Sequence, residues 1–137
     1  MAATDKDIFE KLKIMAYDAA KKSYSPYSNC QVGAALYTKN NQFFSGANVE
    51  NSSYGATICA EQTAIFKAVF AEEYELTHLY IFSRDEFLPC GICRQVMSEF
   101  AHPSLKIGLE KEGELLILRF FEDIYPLSFS KKDMKLL

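Results

Sequence analysis

The apolar positions Ile8, Leu12, Met15 and Ala19 recur at intervals of three and four among polar residues, which predicts an amphipathic helix over about 5–21. Thr4 followed by Asp7 supplies a capping pair at its start. The stretch YSPYSN (24–29) ends it, with Pro26 and Asn29 as the turn-favouring residues. QVGAALYT (31–38) and QFFSGANV (42–49) flank KNN and predict a β-hairpin with a short loop. In TICAEQTAIFKAVF (57–70), Ala60, Ala64 and Ala68 recur every four residues with Ile65 and Val69 beside them. This predicts a helix over about 58–71 whose small face packs closely.

LTHLYIFS (76–83) is a near-continuous apolar run, as expected of a strand buried on both faces. PCGICRQVMSEF (89–100) carries Cys93, Val96, Met97 and Phe100 on one face and opens with Pro89, which predicts a second helix with proline at its beginning. LKIGLEK (105–111) and ELLILRF (114–120) are two further strands around a Glu-Gly turn, and SKKDMKLL (130–137) is a polar, peripheral tail. His78 falls within a strand and His102 precedes Pro103 at a helix end, so structural or capping roles are expected of both. There is no repeat or linker, which predicts one domain over 1–137. Strands alternating with helices after an initial hairpin give an α/β fold class: a three-layer α-β-α arrangement around a mixed five-stranded sheet.

Composition narrows the function. Hydrophobic residues make up 49% of the chain, enough for a packed core and against disorder. Eleven Phe and eight Tyr with no Trp predict an aromatic-rich core or subunit interface. The formal net charge of -3, with no basic run, argues against a nucleic-acid polymer and favours a small neutral substrate. No stretch approaches the roughly 20 apolar residues that span a bilayer. MAATDKDIFE lacks the layout of a signal peptide, so the expected address is the cytoplasm, where thiols stay reduced. Four cysteines in that setting point to metal or catalysis before disulfides.

Cys90 and Cys93 form C-x-x-C, which alone fits a redox dithiol, half of a zinc site, or two small buried hydrophobes. Cys59 and Glu61 shift the balance, because CAE and PCGIC both sit at predicted helix starts, where unpaired N–H groups and the helix dipole favour thiolate. Three sulfurs about 2.3 Å from a tetrahedral zinc leave a fourth position open, the mark of a catalytic rather than a structural site. Glu61 can exchange a proton with a water acidified there. Its plainer alternative is an acid that complements the helix dipole.

With these residues in place, the chain resembles the zinc-dependent cytidine deaminases of the short, homotetrameric type, within the cytidine and deoxycytidylate deaminase superfamily. The resemblance rests on C-A-E…P-C-x-x-C together with YSPYSNCQVGAALYT, GANVENSSYG, PCGICRQVMSEF and YPLSFS, and it covers about residues 5 to 130. It implies one Zn²⁺ per chain on Cys59, Cys90 and Cys93, with Glu61 as proton shuttle. It implies that Asn48 and Glu50 bind the ribose hydroxyls and that Cys30 and Ala60 belong to the substrate pocket. Phe129 would reach the site of a neighbouring subunit and pack on the base, while Ser52, Ser53 and Tyr54 would lie near the subunit boundary that completes the pocket. The implied reaction is hydrolytic deamination of cytidine and 2′-deoxycytidine to uridine and 2′-deoxyuridine with release of ammonia, a step of pyrimidine salvage. The implied assembly is a homotetramer with shared sites, with neither a nucleic-acid polymer nor a membrane as partner.

Two positions depart from the family's pattern. Gln62 stands where arginine is common, next to a metal whose three thiolates leave a net negative charge; Arg94 or the helix dipoles are the candidates to offset it. Cys30 stands where the family usually has a phenylalanine along the pyrimidine, which predicts a wider pocket and a raised KM that Cys30→Phe lowers. These departures keep two alternatives in view: deamination of a modified or different nucleoside such as blasticidin S, and a silent zinc- or nucleoside-binding member. A purely structural zinc module has no need of Glu61.

Overall fold

The computed structural model describes residues 3–134. Thr4 caps α1 (Asp5–Ala20) reciprocally: its hydroxyl accepts from Asp7 N at 3.2 Å, and the Asp7 carboxylate accepts from Thr4 N at 3.3 Å. The chain continues through β1 (Val32–Thr38), β2 (Phe43–Ala47), a 3₁₀ turn (Tyr54–Ala56), α2 (Ala60–Phe70), β3 (Leu76–Ser83) and α3 (Gly91–Phe100). It ends with β4 (Ala101–Lys111), β5 (Glu114–Arg119), a π-helical turn (Phe120–Ile124) and α4 (Lys131–Met134). The five strands form one sheet in the order β2-β1-β3-β4-β5. Only β3 and β4 run parallel, as their connection through α3 requires; the other pairs are antiparallel. The sheet is therefore mixed, as the sequence predicts.

The alternation of side chains along β1 and β3 separates two cores. Ala35 and Tyr80 face α1 and meet Ile8, Phe9, Leu12 and Ala16. Ala34, Leu36, Leu79 and Ile81 face the other way, against Ala60, Ala64 and Ile65 of α2 and Cys93 and Met97 of α3. The result is three layers, with α1 on one side of the sheet and the two cysteine-bearing helices on the other. Among the described residues no helix is long and apolar enough to cross a membrane.

Several boundaries differ from the sequence reading. Helix α2 starts at Ala60 rather than 58, because Cys59 takes an extended N-cap conformation. Pro89 lies before the N-cap residue Cys90, outside the first turn of α3. Strand β4 begins at Ala101, so His102 lies in it and bonds Ser104 at 2.8 Å instead of capping the helix. The last apolar run leaves the sheet at Arg119 and coils, burying Phe120 and Ile124 against the cysteine-side core. Of the tail, 131–134 form α4 and 135–137 lie outside the described residues. His78 has a structural place: Nε2 meets Asp5 at 2.8 Å, Nδ1 meets Thr77 at 2.9 Å, and the ring lies edge-on to Phe9. Lys106 and then His78 hold the Asp5 carboxyl below its ordinary range.

Tyr80 carries an unusual cost. It is fully buried, its hydroxyl has no hydrogen-bond partner among the described residues, and burial followed by the charge of Glu110 pushes that hydroxyl up to about 12. Tyr80→Phe keeps the ring and drops the orphaned group. It is expected to stabilise the fold by about 1 kcal/mol, read as a higher urea midpoint at unchanged slope. A lower midpoint would show that the hydroxyl contributes a bond.

Candidate active site

Two helix N-termini converge on one point. Cys59 is the N-cap residue of α2 and Cys90 that of α3, and neither sulfur is used in a capping hydrogen bond. Both positions have a local cause. Ile58 exchanges two 2.9 Å backbone bonds with Val49, which keeps the chain extended into Cys59. Arg94 donates from Nε to Pro89 O and from Nη1 to Ile124 O, each at 2.8 Å, which fixes the chain before Cys90. Within α3 the N-cap side chain naturally overlies the third helical residue, here Cys93, and their sulfurs are 3.5 Å apart.

The three Sγ atoms lie within 4.8 Å of one another. A tetrahedral zinc with bonds of about 2.3 Å separates its sulfurs by roughly 3.8 Å, so the cluster has the right size. An all-thiolate donor set suits zinc and excludes magnesium or calcium. The neighbouring Cys93 thiol brings the Cys59 thiol down to about 7, while Cys59 and then burial raise that of Cys93. Gln62, also buried, donates from Nε2 to the Cys93 sulfur at 3.5 Å.

Glu61 occupies the second position of α2, is 5% exposed, and has its carboxyl raised by burial. It shares the wall of a cavity of about 290 Å³ with Cys59, Cys90, Ala60 and Asn48. Val32, Ile58, Ile81, Phe87 and Leu88 supply the apolar wall. The cavity lies beyond the carboxyl end of β3, where open α/β sheets place their ligands.

The model of the cytidine and deoxycytidylate deaminase zinc-binding region matches residues 7–109. The chain belongs to that family. It is 38% identical over 122 residues to a cytidine deaminase of Halalkalibacterium halodurans, covering 87% of this chain and 92% of that protein. It is 37% identical over 127 residues to one of Sporosarcina psychrophila, covering 91% and 93%. Among solved structures, the cytidine deaminase of Burkholderia pseudomallei superposes with a TM-score of 0.75 at 39% identity, covering 81% of this chain and 91% of that one. A mutant cytidine deaminase of Mycobacterium tuberculosis reaches 0.82 at 30% identity, covering 96% and 99%. The cysteine cluster is this deaminase-family chain's zinc site, for one ion.

Of the other residues that the resemblance singles out, Ala60 and Asn48 line this cavity and the rest are not among its lining residues. Asn48 is buried and stitched to the preceding turn: Oδ1 accepts from Ser23 Oγ and from Val32 N at 2.9 Å, and Nδ2 donates to Cys30 O at 2.8 Å. Glu50 accepts from Tyr27 N at 2.9 Å, Ser28 N at 3.1 Å and the Ser28 hydroxyl, which hold its carboxyl below the usual range, the hydroxyl foremost. Cys30 lines a separate cavity of about 610 Å³ with Tyr17, Phe82 and Arg84, and is not among the residues lining the one with Glu61. Ser52, Ser53 and Tyr54 are exposed, and Tyr54 lies edge-on to Tyr27. Phe129 is half exposed beside Ser98 and Glu99. The guanidinium of Arg94 serves two carbonyls rather than a sulfur, so among the described residues the direct donor to the cluster is the neutral Gln62. The sequence reading passed over Phe87, Leu88, Ile81 and Val32. Two large apolar residues immediately before P-C-x-x-C were the available signal for the first pair.

Proposed function

We propose that this chain catalyses the hydrolytic deamination of cytidine and 2′-deoxycytidine to uridine and 2′-deoxyuridine, releasing ammonia. The observation that carries the reading is Glu61, a buried carboxylate in the same cavity wall as two of the three zinc-binding cysteines. Zinc, when held by Cys59, Cys90 and Cys93, supplies the Lewis acidity that ionises water near neutral pH. Glu61 accepts the proton from the water that adds to C4 and donates it to N3 of the ring. The same carboxylate then takes the remaining proton from the C4 hydroxyl and delivers it to the exocyclic nitrogen; the C4–N bond breaks as the C4 carbonyl forms, and ammonia leaves. The small side chain of Ala60 and the apolar wall leave room for the base and exclude competing water.

The sugar is assigned to Asn48 and Glu50. After their contacts to the turn, Asn48 keeps one N–H and Glu50 keeps acceptor capacity on Oε2. One donor and one acceptor satisfy a single hydroxyl, which supports acceptance of both the ribo- and the deoxyribonucleoside.

The proposed unit is a cytoplasmic homotetramer of one-domain chains with shared sites. Phe70 is 93% exposed, and it lines with Phe44, Val49 and Phe66 an apolar groove of about 670 Å³ that a neighbouring copy can cover. Exposed Phe129 and Tyr54 are free to serve that copy's site. Loss of ultraviolet absorbance on cytidine and 2′-deoxycytidine, followed over a protein dilution series, tests both parts. Turnover whose rate per chain falls on dilution is expected. Zinc-loaded protein inactive on both nucleosides would overturn the activity, and a rate per chain independent of dilution would overturn the shared sites.

A further inference from the structure

We propose that Phe87 is a stacking face for the pyrimidine ring, a substrate-binding residue that this pocket uses in place of the side chain at position 30. The inference rests on the deaminase reading and concerns how the same cavity grips its base. Among the residues that line the cavity of Cys59 and Glu61, Phe87 is the one aromatic side chain. Cys30 lies along the other cavity and presents no flat surface to the base. A planar heteroaromatic ring gains most from a flat, polarisable partner, which the branched side chains of Val32, Ile58 and Ile81 cannot provide.

The ring has the two properties such a partner needs. It is available: Phe87 is 48% exposed and pairs with no other ring among the described residues. Its backbone is also tied on both sides within the loop between β3 and α3. Buried Ser83 accepts from Phe87 N at 2.9 Å through its hydroxyl. Glu86, with φ of 56°, accepts from Glu112 N at 3.0 Å and pairs with Lys111 at 3.8 Å, which ties the loop to the β4–β5 turn. Pro89 follows two residues later, with its carbonyl held by Arg94. With the loop backbone held at these points, only the side-chain torsions of Phe87 are left to order when the base stacks.

Stacking acts on the base before and during reaction alike, so its loss raises KM and leaves kcat in place. The test compares Phe87→Leu, which keeps an apolar wall without the ring, with Phe87→Tyr, which keeps the ring. Cytidine kinetics are measured on the zinc-loaded protein, with uridine affinity by equilibrium titration, zinc content and urea midpoint. In Phe87→Leu, KM for cytidine and Kd for uridine are expected to rise about tenfold with kcat within about twofold of native. Phe87→Tyr is expected to restore both constants. Unchanged constants in Phe87→Leu, or equal constants in the two variants, would overturn the proposal. So would a rise accompanied by lost zinc or a lower midpoint, which would make the ring a support for the loop. A native protein that turns over neither nucleoside would overturn the deaminase reading and this proposal together. Native turnover with an unaltered Phe87→Leu would overturn this proposal alone.

Discussion

Glu61→Gln is expected to lower turnover of cytidine by about a thousandfold or more while one zinc per chain stays bound, because a positioned acid–base group contributes roughly 10²–10⁴ in rate. Glutamine fills the same volume at the second position of α2 and still offers a hydrogen bond. It cannot take a proton from water or return one to N3 and the departing amine. Metal retention is expected because the binding cluster consists of the three sulfurs, which lie within 4.8 Å of one another without the carboxylate. Folding should not suffer either, since the substitution replaces a 5% exposed ionisable group by a neutral one. Rate, zinc content and unfolding midpoint measured together separate the outcomes. Activity above about a tenth of native would remove Glu61 from the proton transfers. Loss of zinc would make it a ligand.

Gly33→Ala is expected to cost about 3 kcal/mol of stability or more, at the upper end of what overpacking does. A Cβ on Gly33 would stand 1.9 Å from the carbonyl oxygen of Ala16 and 2.7 Å from Ala20 N. Both are backbone atoms of α1, so no side chain can rotate away. The helix presents Ala16, Ala19 and Ala20 to the sheet, and the glycine opposite lets its backbone approach β1 that closely. Relief would require the whole of α1 to lift, opening the core of Phe9, Leu12 and Tyr80. Denaturant unfolding reads the effect directly. A loss below about 1 kcal/mol would mean that α1 slides without penalty. Gly46 plays the matching role on the other face, where a Cβ would meet Ala64 N at 2.5 Å and press on α2, the helix whose N-cap residue is Cys59.

The helices and strands could be read along the chain because their cause is local. The three-and-four spacing around Ile8 and Leu12, the four-residue spacing of Ala60, Ala64 and Ala68, and the apolar run of β3 each appear where the periodicity puts them. Periodicity fails where the chain changes habit without changing composition. Phe120 looks like the end of a strand, yet β5 stops at Arg119 and Phe120 belongs with Ile124 to a π-helical turn that buries both in the cysteine-side core. His102 looks like a helix-end residue, but strand β4 already begins one residue before it, at Ala101.

The site divides along the same line. The Cys90–Cys93 pair and the helix-start setting of Cys59 and Glu61 are written in local spacing. A residue at a helix mouth and one three positions later must meet, whatever surrounds them. Packing between distant elements settles the rest: Gln62 reaches the Cys93 sulfur, Arg94 is engaged by two carbonyls, Cys30 lines a different cavity, and Phe87 and Leu88 wall the one with Glu61. Each of these depends on how a loop crosses an element distant in sequence. Side-chain spacing records which face of its own helix or strand a residue occupies, and it carries no information about what is packed opposite.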